Sequence, residues 1–230
     1  MKICKEAKNH WLAITNARLE PQPFWGYEDI GAFFLLIVSL SLILHLLVRL
    51  HFLLRSTIIN PSVGLQSAVV VFLGAGLYFV LRFRYQQPVL KPLGWVVPQL
   101  AYVVMAVIVG PSFAAGIALY LRLRNQIAAP IPIGELLVLG LVLGPLLEES
   151  VFRGCLLPIL AQTIGTIPAV VVTAVVFALF HGPTNLVHWA SFTATGIAYG
   201  WIRVASRSTT APALMHAAYN FSLFLFAGSR

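Results

Sequence analysis

Acidic residues are scarce in this chain. It holds 7 Asp+Glu against 15 Lys+Arg in 230 residues, and charged residues make up only 10% of it, where a water-soluble domain carries roughly a quarter. A chain of this size without that charge has no means of covering its surface in water, which excludes an ordinary soluble fold. Cysteine is equally sparse. Cys4 sits in a polar tail and Cys155 beside an apolar run, so neither a disulfide framework nor a cysteine-based zinc site is credible. A cleavable signal peptide is not expected either, because Lys2, Lys5 and Lys8 are followed by mixed polar sequence and not by an apolar stretch. The net charge of +8 does not point to nucleic acid: the basic residues stand singly or in pairs between apolar runs, as loop charges do in membrane proteins.

Apolar residues, at 59% of the chain, dominate what is present, and the mean hydropathy is +0.89. A helix needs about 20 apolar residues to cross a bilayer core, since every backbone polar group must be bonded within the segment. Seven stretches meet or approach that length: 30–50, 63–81, 96–121 with a kink expected at Pro111, 133–157, 167–180, 186–202 and 212–226. The sixth is rich in small residues (Ala190, Ser191, Ala194, Gly196, Ala198, Gly200), which lets neighbouring backbones approach. The expected fold is therefore all-α, a polytopic membrane bundle of about seven transmembrane helices around an intramembrane polar cavity. It divides into a polar or interfacial tail over 1–29, three N-terminal transmembrane helices over 30–127, and a helical bundle carrying the chemistry over 128–230. In the tail, Ala7, Trp11, Leu12 and Ile14 allow a short interfacial helix ended by Pro21 and Pro23; a loosely ordered tail is the alternative. With the N-terminus in the cytoplasm, nine Lys/Arg fall inside and five outside, which orients the chain that way and puts Glu148 toward the cytoplasmic half of its helix.

Four of the seven carboxylates, Glu6, Glu20, Glu28 and Asp29, precede the first apolar run, leaving Glu135, Glu148 and Glu149 for the rest. Glu135, near a helix start, fits the water boundary. Glu148, Glu149 and Arg153 lie together inside an apolar segment, where each charge costs at least about 2.5 kcal/mol. Residues four apart share a helix face, so Glu149 and Arg153 can pair, while Glu148 projects about 100° away. One carboxylate is then neutralised and the other stays available for proton transfer. A buried Arg/Glu triad that only fixes packing is the competing reading.

Of six histidines, His10 and His51 flank the spans, His45 lies late in the first, and His181, His188 and His216 all follow the acidic cluster. His181 comes four residues after Phe177, and His216 four before Asn220. A single histidine within a membrane is usually a packing residue, but three helices each offering proton-carrying or hydrogen-bonding groups argue for a site. His188 and Trp189 fit either a substrate path or interfacial packing, and Cys155 reads as a small packing residue. Gly144 and Pro145 either thin and kink the fourth helix to admit water or simply pack.

Together, Glu148-Glu149-x-x-x-Arg153-Gly154, Phe177-x-x-x-His181 and His216-x-x-x-Asn220 resemble the three-motif signature of the CAAX protease and bacteriocin-processing family, glutamic intramembrane proteases related to the Ras-converting CAAX endopeptidase. The likeness covers about 137–226. It implies an all-helical intramembrane peptidase in which Glu148 with His181 activates water, His216 and Asn220 stabilise the oxyanion, and Glu149 and Arg153 support the site. Peptide hydrolysis needs a base for water, donors for the oxyanion and an acid for the leaving amine, and one Glu, two His and one Asn can supply them. No cofactor is required in this reading. If the enzyme depends on metal, zinc on Glu148, His181 and His216 is the form it takes, although there is no His-Glu-x-x-His pair and Asn is a poor zinc ligand. Other intramembrane protease classes fail on inventory: the only Asp is Asp29, and Gly-x-Ser-Gly and His-Glu-x-x-His are absent.

The expected function is hydrolysis of a peptide bond in a membrane-associated or lipidated substrate, in a multi-pass protein of the cell membrane, prokaryotic plasma membrane rather than endoplasmic reticulum. A non-proteolytic immunity or regulatory partner is the second hypothesis. A proton-coupled carrier is the third, disfavoured by the missing internal repeat. Glu148 and His181 both fall late in their expected helices, so they meet only if one helix is tilted or extended. A water-filled cavity is expected to gather Glu148, His181, His216 and Asn220.

Overall fold

The computed structural model describes residues 23, 25–53, 61–86, 88–123 and 136–228. The expected tail helix and the placement of Glu135 lie outside them. Among the described residues there are seven helices and no strand.

Residues 24–89 form one compact unit. It pairs α1 (Tyr27–Leu53) with α2 (Pro61–Tyr85), Leu36 lying over Gly76 at ordinary packing distance. Asp29, expected in the tail, instead stands in the first turn of α1, where a carboxylate complements the helix dipole. It is buried, accepts from the Gly26 amide at 2.9 Å and from the Tyr85 hydroxyl, and pairs with Arg84 at 3.2 Å, tying the start of α1 to the end of α2.

The second unit holds the described residues from Leu90 onward. It begins with a turn and extended strap, Leu90 to Gln99, followed by α3 (Leu100–Leu123). The sequence groups this helix with the first two, but its contacts place it here. Ala106, Gly110, Ala114 and Ala118 form a stripe of small buried residues along it. At Gly110 a Cβ would stand 2.5 Å from the Met215 carbonyl, so only glycine admits the last helix, α8 (Thr210–Gly228), this closely.

Next comes one unbroken helical run with four registers: π1 (Leu136–Leu143), α4 (Gly144–Glu149), π2 (Ser150–Leu156) and α5 (Leu157–Ile164). The prolines account for the wide turns. In an α-helix a proline lacks the N–H that would bond residue i−4, and its ring strikes that carbonyl. Pro145 and Pro158 each stand two residues beyond a π segment, and bonding five residues back, as Leu157 N–H does to the Phe152 carbonyl, carries the chain past them. The run therefore continues to Ile164, beyond the expected end near Leu157. Gly165, at φ +86°, makes the turn into α6 (Thr166–Phe180).

The hairpin resolves the question of depth. Glu148 lies seventeen residues before Gly165 and His181 sixteen after it, so at about 1.5 Å per residue both stand about 25 Å from the turn. Asn185 then caps α7 (Leu186–Ser206), its side chain accepting from the His188 amide. Against α6, a Cβ on Gly196 would lie 3.0 Å from the Ala174 Cα and one on Gly200 2.9 Å from a Val170 methyl. The small residues expected to bring this helix close to a neighbour do so at those two points.

The strap fastens the helices that carry the chemistry. Thr209, just before α8, donates its amide to the Gly94 carbonyl (2.7 Å) and its hydroxyl to the Leu93 carbonyl (2.6 Å), while Ser208 and Thr210 bond the Val96 carbonyl. Trp95 Nε1 donates to Ser150 Oγ at 3.0 Å, beside the acidic pair. Gly94 has φ +79°, and a Cβ there would meet Arg203 Nη2 at 2.7 Å.

Seven spans were expected. One described helix, Leu100–Leu123, is by itself long and apolar enough to cross a membrane, with a mean hydropathy of 2.1 in its best window. Helix α6 is apolar but has only 15 residues. The run Leu136–Ile164 is divided into segments of six to eight residues, and His216 and Asn220 interrupt the apolar sequence of α8.

Candidate active site

Glu148 and Glu149 are adjacent on α4, just ahead of the widened π2 turns, and the helix sends them in different directions. Glu149 is fully buried. Its Oε1 receives Arg153 Nη1 at 3.1 Å and lies 3.0 Å from His216 Nδ1. Arg153, equally buried, donates through Nη2 to the Gly196 carbonyl at 3.0 Å, and its guanidinium lies 4.6 Å from the centre of the Phe177 ring and 5.2 Å from that of Tyr199. Such a cation needs both its carboxylate and its aromatic walls to offset desolvation.

Glu148 faces the other way. Its Oε2 lies 3.6 Å from His181 Nε2, and the two side chains keep 31% and 26% exposure, whereas Glu149 and Arg153 keep none. That oxygen has no hydrogen-bond partner among the described residues. His181 follows the last residue of α6, and its Nδ1 is 2.9 Å from the Phe177 carbonyl. A carbonyl only accepts, so Nδ1 carries the hydrogen, and in the neutral imidazole the Nε2 lone pair turns toward Glu148. Phe177 and Phe192 hold the imidazole at ring distances of 4.3 and 4.6 Å.

Helix α8 contributes His216 and Asn220. His216 is buried and stacks on Tyr199 with ring centres 5.0 Å apart; because Nδ1 is turned to Glu149, Nε2 is the atom left for chemistry. Asn220 Nδ2 donates to the Gly140 carbonyl at 2.8 Å.

Every site residue named from the sequence thus lies in the second unit; five of them form two groups, and Asn220, bonded to Gly140, joins neither. Glu148 pairs with His181, and Glu149 joins Arg153 to His216. Phe177 touches both imidazoles, with its ring 6.0 Å from that of His216. His188 stays apart, bonded to Thr184 at the start of α7, and Cys155 is buried. Residues the sequence reading passed over include Tyr199, Phe192, the Gly196 and Gly140 carbonyls and the Trp95–Ser150 bond. Only Tyr199 carried a usable signal, a polar aromatic three residues after Gly196 and therefore on its face.

Zinc would need Glu148, His181 and His216 to converge. Among the described residues no group of three or more His, Cys, Asp or Glu is gathered closely enough to hold a metal ion. The arrangement does not fit that set.

Residues 132–222 match the family model described as Rce1-like, type II CAAX prenyl endopeptidase Rce1-like. No curated protein and no solved structure matches the chain.

Proposed function

Since the chain carries, over 132–222, a domain of the CAAX protease and bacteriocin-processing family, we propose that it is an intramembrane endopeptidase that hydrolyses a peptide bond of a membrane-associated or lipidated substrate with Glu148 as general base. The observation that carries this reading is the Glu148–His181 pair, the partly exposed member of an otherwise closed cluster. A water drawn to the Glu148 carboxylate and the His181 Nε2 lone pair gives its proton to Glu148 as its oxygen attacks the scissile carbonyl. The protonated carboxyl then returns that proton to the leaving amine, and no covalent intermediate forms.

The oxyanion needs donors. His216 serves as one only when both of its ring nitrogens carry hydrogen, because Nδ1 already faces the Glu149 carboxylate. In that form Nδ1–H donates to Glu149 and Nε2–H is free for the oxyanion, with the second amide hydrogen of Asn220 beside it on the same helix face. Glu149 and Arg153 orient His216. No step is assigned to metal.

Several crossings of the bilayer complete the proposal. Large apolar side chains face outward on helix after helix, among them Leu35, Phe79, Ile108, Leu119, Leu179 and Leu225, where lipid is the solvent that tolerates them.

The test is hydrolysis of a C-terminally prenylated peptide by the protein in lipid nanodiscs, with product masses read by mass spectrometry. A defined cleavage, lost in Glu148→Gln, supports the proposal. A chain that leaves prenylated and unprenylated peptides intact acts instead as a non-proteolytic membrane partner. Loss of cleavage with a chelator, restored by added zinc, would return the metal reading.

A further inference from the structure

The Gly140 carbonyl and Pro145 carry an inference about Asn220, resting on the peptidase reading. In the π register a carbonyl accepts from the N–H five residues on, so Gly140, within π1, is due a donor at residue 145, in the first turn of α4. Residue 145 is a buried proline, with no N–H to give. The carbonyl is thereby left without that donor, at the level where α8 crosses π1, and Asn220 Nδ2 occupies it at 2.8 Å. An amide nitrogen has two hydrogens in one plane. Fixing one fixes the direction of the other.

We infer that Pro145 is a positioning residue for the oxyanion site: by withholding a hydrogen bond from Gly140, it leaves a carbonyl that clamps the Asn220 amide and aims its remaining N–H. Buried hydrogen-bonding groups are satisfied wherever they can be, so any residue with an N–H at 145 competes for this clamp. If the helix keeps its wide register, residue 145 donates to Gly140. If it relaxes to an α-helix, Gly144 N–H does. Either way Asn220 has to share the carbonyl with a main-chain donor.

The experiment is a double-mutant cycle on Pro145→Ala and Asn220→Ala in nanodiscs, reading kcat, KM and thermal unfolding. Removing one oxyanion donor costs about 100-fold in kcat, and that is the loss expected for Asn220→Ala. Pro145→Ala should lower kcat by no more than this with KM unchanged, and the double variant should be no slower than Asn220→Ala alone. In unfolding, Asn220→Ala should lower the midpoint of the parent protein but move that of Pro145→Ala much less. Wild-type kcat in Pro145→Ala overturns the inference. So does multiplication of the two effects, or a Pro145→Ala defect larger than that of Asn220→Ala, which would mean the proline acts through the acidic pair. Should Pro145→Ala not fold, Pro145→Ser adds the same N–H. If the parent hydrolyses nothing, the peptidase reading fails, while the unfolding cycle still decides whether the clamp exists.

Discussion

Glu149 Oε1 serves two partners at once, Arg153 Nη1 at 3.1 Å and His216 Nδ1 at 3.0 Å. This one oxygen links the helix that carries both acids to the helix that carries the second imidazole, and its residue is fully buried. The neighbouring Glu148 carries no such load. Two adjacent residues of one type therefore have separate duties, set by the roughly 100° between successive side chains of a helix.

The Arg153 arrangement sets a stability expectation. Arg153→Met leaves Glu149 buried with only a neutral or charged imidazole to meet it. Breaking a buried pair by removing one member costs about 3–5 kcal/mol. A large fall in folded yield and in thermal midpoint in detergent is expected, before any measurement of activity.

Phe177 should matter twice. It is fully buried, its ring contacts His181, His216, Phe152 and Tyr199, and its carbonyl sets the His181 tautomer. Phe177→Ala removes the ring and should cost about 3–5 kcal/mol, while Phe177→Leu keeps most of the volume; the main-chain carbonyl that bonds His181 stays in both. The leucine variant should fold with a smaller loss and retain cleavage, reduced because the imidazole is less firmly held. Unfolding curves and kcat of the two variants check this.

The strap offers an independent test. Gly94→Ala must place a Cβ at φ +79°, 2.7 Å from Arg203 Nη2 and 2.8 Å from Thr209 Oγ1. The left-handed conformation alone costs about 1–2 kcal/mol for a residue with a side chain, and the crowding adds to it. The expected outcome is a lowered melting temperature together with faster proteolysis near Ser208–Thr210, whose bonds to the strap would loosen.

The helical architecture was legible because apolar length and the dispersed loop charges leave few other solutions. Its boundaries were legible where turn chemistry was strong, as at Asn185. Pro158 hid the real length of the fourth helix: a proline ordinarily ends a helix, and the sequence gives no sign that a π turn will carry the chain through it. That extension brings Glu148 and His181 level, so the meeting that looked strained from the sequence is a consequence of where Gly165 falls.

The site itself was legible as residues and not as partners. Placement in the chain and the family resemblance singled out Glu148, Glu149, Arg153, His181, His216 and Asn220 as candidates, and helix spacing foresaw the Glu149–Arg153 pair because that contact is local. It could not foresee that His216 lies on Glu149, or that Asn220 reaches Gly140. Both contacts cross 67 to 80 residues of chain and depend on how closely α3 and the strap hold α8, which turns on single glycines such as Gly110 and Gly94.

The division of labour between the two acids can be read from one comparison: cleavage of a prenylated peptide and thermal unfolding, measured side by side for Glu148→Gln and Glu149→Gln in nanodiscs. The account expects Glu148→Gln to unfold at the parent temperature and lose hydrolysis by a factor of about 100 or more, and Glu149→Gln to lose stability first. Full hydrolysis in Glu148→Gln, or a stability loss there as large as in Glu149→Gln, would contradict it.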